Sequence, residues 1–463
     1  MNLDVTAAEL ASLMGGRLSS GDPAARVRSL AIDSRALQEG DYFVALAGER
    51  SDGHEFVPEV LARGAAGVVV SRDVPGIPQG TNCIRVAAAI PALQKAGQAF
   101  RRRFPVRVVG ITGSNGKTTT KDMTAHALAA GGKKVLATRG NLNSQIGLPL
   151  MLMEIEAGMS HAVLEMGASE RGNIRRLAEL AGPDTGVITG IGAAHLEYFG
   201  SLEGVRDAKW ELIESLPHGG VAVLNADDPL LASKAVPAGR RSVTFGFGAG
   251  ADVRGENVAQ DESVTFDLLC DGKRLPVRLP LPGLFNVRNA LAAAAVAWTE
   301  GIGLDAICAS LAAFSPPKMR MEVRRLPDGT VFLIDAYNAN PTSMKASIES
   351  FVRAFPGRPH VAVLGSMLEL GPSAQAEHTA LGALVAGSAV DEVYFLGPEG
   401  GWVRYGAGPA KERVRLFDDH DSLRRALAAA LRPGSAVLFK ASRGVKLEKI
   451  FEPMIESRPG GNS

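Results

Sequence analysis

Residues 112 to 120 carry the clearest chemistry in the chain. They read Thr112-Gly113-Ser114-Asn115-Gly116-Lys117-Thr118-Thr119-Thr120, between an apolar strand and a helix. Glycines there let backbone N–H groups turn inward around phosphate oxygens, and the helix N-terminus adds a favourable field. Lys117 brings a positive charge to the terminal phosphates, and the Thr118 hydroxyl suits Mg²⁺. The long pattern G-x-x-x-x-G-K-[ST] is incomplete, because Ile111 stands five before Gly116 and the nearby glycine is Gly110. The shorter T-G-x-x-G-K-T form fits. Gly113, Ser114, Asn115, Gly116, Lys117, Thr118 and Thr119 are therefore expected to bind a nucleotide. Glu165 ends the strand 162–166, on the side where open α/β sheets bind ligands, so its carboxylate can reach the same metal. His195 and Lys209 have no such pattern of their own; each reads equally as an ordinary loop or helix residue.

These residues need a parallel sheet to bring them together. Short β-branched runs at 106–111, 134–137, 162–166, 186–189 and 221–225 alternate with helical stretches, which implies a sheet covered on both faces. From Ser242 to Leu281 the chain turns strand-rich, as in a small antiparallel extension, and 286–300 reads as an Ala-rich helix. Before this lies a small mixed region: a helix over 5–15 with Thr6 as N-cap, strands at 41–46 and 67–71, and a polar loop at 51–55. The run Arg101 to Pro105 is either a linker or a solvated helix end. Beyond Pro316-Pro317 the strand–helix rhythm resumes, with strands at 331–335, 360–364, 392–396 and 436–440. The expected architecture is α/β with three domains: 1–104, a small mixed substrate domain; 105–313, a central P-loop parallel-sheet domain; and 314–463, a Rossmann-like α/β domain.

Composition agrees. At roughly 150 residues per domain, 463 residues make about three domains. Hydrophobic residues form 46% and charged residues 21%, which excludes disorder. Fifty Lys+Arg against 49 Asp+Glu give no electrostatic reason to expect nucleic acid. Cys83, Cys270 and Cys308 are odd in number and far apart, which speaks against a disulfide framework. No signal peptide and no 20-residue apolar run is apparent, so no membrane insertion and a cytoplasmic location are expected.

The segment T-G-S-N-G-K-T-T resembles the ATP loop of the Mur ligases, three-domain enzymes that form amide bonds with ATP, and of their relative folylpolyglutamate synthase. Asp335-Ala336-Tyr337-Asn338-Ala339-Asn340-Pro341 and Val363 to Gly371 resemble the family member that adds D-alanyl-D-alanine to a UDP-N-acetylmuramoyl-tripeptide. No D-N-P-R segment of the diaminopimelate-adding enzyme is present, and Tyr337 to Pro341 argues against the folylpolyglutamate branch. A non-catalytic ATP-binding relative is the remaining alternative. Retention of Lys117, Glu165, His195 and Lys209 together argues against it.

The resemblance implies an acyl-phosphate mechanism with ATP and two Mg²⁺ ions. It implies that His195 helps bind the second ion, and that Lys209 is carbamylated to become an oxygen ligand; Lys117, Lys209 and His195 are the implied catalytic residues. Asn286 and Asn289 match a nucleotide-side segment, with Phe285 where His is usual. Arg320 and Asp335 match residues that close onto ATP, with Ile334 where a second acid is common. Asn141 and Asn143 match the muramoyl-peptide loop, in which Ser144 replaces the second Asn of a pair. Ser34, Arg35 and 51–54 match segments holding the UDP end. Asn338, Asn340 and Arg443 are candidate contacts to the dipeptide. Ser366 stands where relatives often have Asp, and no role is carried over to it. A monomer acting on small-molecule substrates is expected.

Overall fold

Strands buried on both faces are apolar along their whole length, and that pattern marks most of the central sheet. The structure, a computed structural model, describes residues 3–48, 51–193 and 196–457. Its largest sheet runs in the order Lys273–Leu279, Val264–Cys270, Val253–Gln260, Arg241–Gly246, Val221–Asn225, Thr185–Ile188, Arg107–Thr112, His161–Glu165, Val135–Ala137. Pairs from Arg241–Gly246 to the last strand are parallel. The chain leaves Arg107–Thr112 towards one side of the sheet and later returns to its other side at Thr185–Ile188. This strand therefore lies at the switch point, where open α/β sheets form a crevice at their carboxyl ends.

The stretch 242–281 departs from expectation at its start. Arg241–Gly246 pairs in parallel with Val221–Asn225, and only the last three strands form the antiparallel ribbon. Its outer residues are exposed, so it alternates like an edge strand, and alternation does not distinguish the two pairings. The Ala-rich helix, Leu284–Thr299, is almost wholly buried between this sheet and the P-loop helix Lys117–Ala130.

A second sheet orders Glu322–Arg325, Val331–Ile334, Ala436–Lys440, His360–Gly365, Glu392–Leu396 and Val414–Phe417, parallel except for the first pair. Its two edge strands were not foreseen. They read Glu-Val-Arg-Arg and Val-Arg-Leu-Phe, and charge on an edge strand hides the apolar run while discouraging intermolecular pairing. The third sheet, Arg17–Ser20, Asn82–Arg85, Gly67–Val70, Tyr42–Val44 and Leu30–Ala31, belongs to the first hundred residues. Thr6 is the N-cap as expected, of a helix that runs Ala7–Leu13 rather than 5–15, and it caps through a capping box with Glu9. Among the described residues no helix is long and apolar enough to cross a membrane.

Arg101 closes the helix Ala89–Arg101, and its guanidinium donates to the carbonyls of Ala181 (2.9 Å) and Phe104 (3.1 Å). That helix also packs on the short helix Gly147–Leu152 of the central region. At the contact, a Cβ on Gly97 would lie 2.8 Å from both the Cα and the carbonyl oxygen of Pro149. Gly97→Ala gains about 1 kcal/mol of helix propensity. It must also push backbone apart, and overpacking costs about 1–3 kcal/mol. A lower Tm than the parent is therefore expected in thermal denaturation; a higher one would show that the two helices separate freely.

Candidate active site

The strand Arg107–Thr112 delivers the P-loop to the switch point. Gly113 adopts φ +148°, and a Cβ there would lie 1.9 Å from Thr189 Oγ1. Gly116 adopts φ +82°, and a Cβ there would lie 2.2 Å from Asn289 Oδ1. Conformation and space thus both require glycine. The loop is held from the neighbouring strand. Thr189 Oγ1 donates to the Asn115 carbonyl (2.5 Å), Ser114 N–H donates to Gly190 (2.9 Å), and Ser114 Oγ donates to Gly192 (3.0 Å). Lys117 Nζ turns back onto the Gly113 carbonyl at 2.9 Å. Burial lowers its pKa and Arg320 lowers it further, while Glu165 opposes the shift.

Glu165 is 4% exposed, and its contacts define the centre of the site. One oxygen accepts from Thr118 Oγ1 and the other from Asn143 Nδ2, both at 2.7 Å. Its own N–H donates to Thr138 Oγ1 (2.9 Å). The Thr138 carbonyl accepts from buried Lys121 (2.7 Å), which also pairs with Asp122 (2.5 Å). Burial raises the Asp122 pKa despite that partner. Lys209 lies on the helix Leu202–Glu214 with 3% exposure. Burial, and then the Lys117 charge, bring its pKa down to about 7. His195 lies outside the described residues.

Asn286 and Asn289 are buried behind the loop. Thr120 Oγ1 donates to Asn289 Oδ1 (3.2 Å), Asn289 Nδ2 to Asn286 Oδ1 (3.1 Å), and Asn286 Nδ2 to the Pro282 carbonyl (2.6 Å). This ladder braces the first turn of the P-loop helix. Phe285, beside it, packs on the apolar core of the second sheet.

That sheet presents its own carboxyl ends to the loop. Asp335 forms an ion pair with buried Lys440 (2.7 Å) and accepts from Ser347 Oγ (2.5 Å). Lys440 also reaches the Asn338 carbonyl (3.2 Å). The Arg320 guanidinium stacks on Tyr337, 4.2 Å from the ring centroid. Asn340 caps the helix Pro341–Ala354 and donates from Nδ2 to Asn115 Oδ1 at 2.8 Å. Asn338 Oδ1 accepts only from the neighbouring Ala339 N–H (2.9 Å) among its described side-chain contacts. Ile334 is buried in the sheet core, and Ser366 Oγ contacts the Glu399 carboxylate.

The structure thus gathers Asn115, Lys117, Thr118, Asn143, Glu165, Lys209, Arg320 and Asn340 around one crevice. Other sequence-derived residues stand apart from this network. Arg35 is exposed and pairs with Asp33 (2.7 Å), whose carboxyl falls to about 2 through that contact. Ser34 gives its carbonyl to Arg63 (2.6 Å). Asn141 is exposed, and Arg443 pairs with Glu448 (2.8 Å). The segment 51–55 is less a polar loop than a 3₁₀ turn, Gly53–Phe56, around a buried His54. Nε2 of His54 accepts from Ser71 N–H (3.0 Å), so Nδ1 carries the proton towards Asp52 (2.6 Å). Sequence reasoning gave no role to Thr138, Thr189, Lys121, Asp122 or Lys440. A polar residue just past a buried strand was the available signal for the two threonines and for Lys440, which ends its strand. Lys121 sits one turn beyond Lys117 and carried none.

Three family models match the chain: "Mur ligase family, catalytic domain" at 26–102, "Mur ligase middle domain" at 111–297, and "Mur ligase, glutamate ligase domain" at 319–443. The chain is 38% identical over 433 residues to the UDP-N-acetylmuramoyl-tripeptide–D-alanyl-D-alanine ligase of Bacillus subtilis (strain 168), covering 93% of this chain and 94% of that protein. A crystal structure of MurF from Acinetobacter baumannii aligns with TM-score 0.88 at 32% identity, covering 97% and 98% of the two chains. MurF ligase from Thermotoga maritima in complex with ADP aligns with TM-score 0.81 at 33% identity, covering 93% and 98%.

The Lys209 environment has a measurable consequence. Below about pH 7 the buried amine is protonated and its desolvation penalty acts in full. From there up to the ordinary lysine pKa of 10.5, the folded chain holds fewer protons than the unfolded one, so stability rises with pH. Lys117 is shifted the same way. In nucleotide-free, CO₂-depleted buffer, the denaturation midpoint should climb between about pH 7 and pH 9. Lys209→Met should climb less steeply. Parallel curves for parent and variant would mean that the Lys209 amine is solvated.

Proposed function

The chain belongs to the Mur ligase family, and from that membership we propose that it is an ATP-dependent amide ligase. It joins D-alanyl-D-alanine to UDP-N-acetylmuramoyl-tripeptide through an acyl phosphate, forming the pentapeptide precursor of peptidoglycan. The observation that carries the substrate assignment is the near full-length, 38%-identical match to a ligase of that name. On this reading residues 1–104 hold the UDP end, 105–313 hold ATP, and 314–463 receive the amine. It works in the cytoplasm, where ATP is available. On this reading a single copy of the chain carries out the reaction.

The P-loop N–H groups and Lys117 receive the β- and γ-phosphates of ATP. Burial lowers the Lys117 pKa, and an arriving anion favours the charged form against that shift. The tripeptide carboxylate attacks the γ-phosphorus and ADP leaves, giving an acyl phosphate. The dipeptide amine then attacks the acyl carbon and phosphate leaves through a tetrahedral intermediate. Both steps concentrate negative charge, and preorganised cations answer it. On this reading Lys117 and Arg320 are those cations, and Asp335 is assigned to the ribose. Asn286 and Asn289 support the nucleotide loop from behind, and Asn141 and Asn143 face the muramoyl-peptide.

The residues present fit Mg²⁺. Thr118 Oγ1 and Glu165 form a hard oxygen pair 2.7 Å apart. Thr118, Glu165, His195 and a carbamylated Lys209 would hold two such ions, which supply charge neutralisation on the phosphates. A neutral Lys209 amine adds to CO₂ and releases one proton, leaving an anionic carbamate; a pKa of about 7 makes that neutral amine available.

Two experiments test this reading. Lys117→Ala should remain folded but lose ligation, since removal of this charge withdraws several kcal/mol of transition-state stabilisation; phosphate release near the parent rate would remove Lys117 from the mechanism. In the parent, turnover on UDP-muramoyl-tripeptide should be high with D-Ala-D-Ala and poor with D-Ala, D-Glu or L-Lys. A pocket that pairs an extra amide and a terminal carboxylate is left unsatisfied by a shorter amine, at ~1–3 kcal/mol per unpaired group. Equal use of a single amino acid would overturn the dipeptide assignment and leave the ATP chemistry standing.

A further inference from the structure

We propose that the hydrogen bond from Asn340 to Asn115 is a latch that sets the position of the second sheet relative to the P-loop. Asn340 is thus a positioning residue rather than a contact to the dipeptide. The inference rests on the reading above only for the identity of the amine.

The orientation of the Asn340 amide follows from its cap. Asn340 Oδ1 accepts from Ser343 N–H (2.8 Å), and Ser343 Oγ accepts from Asn340 N–H (3.0 Å). The oxygen end of the amide is therefore committed to the helix Pro341–Ala354. Only the Nδ2 end is left to face outward, and it meets Asn115 Oδ1 at 2.8 Å. Pro341 at the first helical position fixes the backbone beside the cap. Asn115 is equally constrained. Its carbonyl accepts from Thr189 Oγ1, and it lies between Ser114, bonded to Gly190 and Gly192, and the left-handed Gly116.

The approach is close by construction. A Cβ on Gly192 would sit 3.6 Å from Ser114 Cβ, 3.6 Å from Thr342 Oγ1 and 3.7 Å from Asn115 Nδ2. Three segments, the P-loop, the loop after Thr185–Ile188 and the start of the helix Pro341–Ala354, therefore meet at that glycine. Behind the latch the connection is rigid. Ser347, on the same helix, donates to Asp335, and Lys440 ties Asp335 to the Asn338 carbonyl. A shift of the P-loop thus reaches Asp335 and Asn338 of the second sheet through the Asn115–Asn340 hydrogen bond, and the reverse holds by linkage.

Asn340→Asp and Asn340→Ser isolate the latch, because both replacements remain good N-caps while neither carries an amide donor. Three quantities are measured: ADP binding to the protein alone by calorimetry, the kinetics of D-Ala-D-Ala ligation, and both again in an Asn115→Ala background. The latch requires that either Asn340 variant weaken ADP binding several-fold and lower kcat/KM for the dipeptide by about tenfold, the size of one neutral hydrogen bond. It also requires that neither effect appear once Asn115 is already alanine. Unaltered ADP binding, with a dipeptide loss that persists in the Asn115→Ala background, would place Asn340 on the dipeptide and overturn the latch. Parent-like values for both variants would reduce Asn340 to a helix cap and overturn it equally. Failure of the parent to use D-Ala-D-Ala would count against the substrate reading instead, since the ADP titration does not involve the amine.

Discussion

Burial brings positive charges together at the P-loop, and the surrounding framework holds them there. Burial lowers the pKa of both Lys117 and Lys209, the Lys117 charge lowers Lys209 further, and Arg320 adds to the repulsion at Lys117. The carboxylate of Glu165 opposes the shift at Lys117 without reversing it. Such a site is unsatisfied until an anion enters, and burial magnifies the response when one does. Phosphate recognition and the availability of a neutral Lys209 amine, as proposed here, have this one physical cause.

A crevice of that kind needs a rigid frame, since like charges would otherwise drift apart into water. The frame is the switch point of the central sheet. Thr112, Glu165 and Thr189 end or follow three adjacent parallel strands, so main-chain pairing fixes their separation. Glu165 is then held at both oxygens and at its own N–H, and the P-loop is held by Thr189. The Asn286–Asn289 ladder presses on the loop from below, where Gly116 leaves space for it. Specific polar bonds serve here because a fully satisfied buried network admits one arrangement, whereas apolar packing tolerates several.

Much of this was legible in the chain. The P-loop was, because its glycines, lysine and threonine must follow one another directly to act. The central strands were, because burial on both faces leaves a continuous apolar run. The two charged edge strands of the second sheet were hidden, since an edge suppresses that signal. The 3₁₀ turn around His54 was hidden as well, because a buried histidine with both ring nitrogens paired looks polar in sequence.

What acts locally was readable from the chain alone: the phosphate loop, the cap at Thr6, and the prolines and glycines that end or bend elements. Each is specified within a few neighbouring residues, so one dimension is enough to read it. What those residues meet depends on the fold. Lys209 reads as an ordinary helix lysine until the fold buries it beside Lys117. Asn340 reads as a contact to the dipeptide until its free amide end is found on Asn115, 225 positions away in the chain. Long-range contacts depend on the relative placement of whole sheets and helices. That placement is set by the summed packing of many side chains, so no single stretch of sequence contains it.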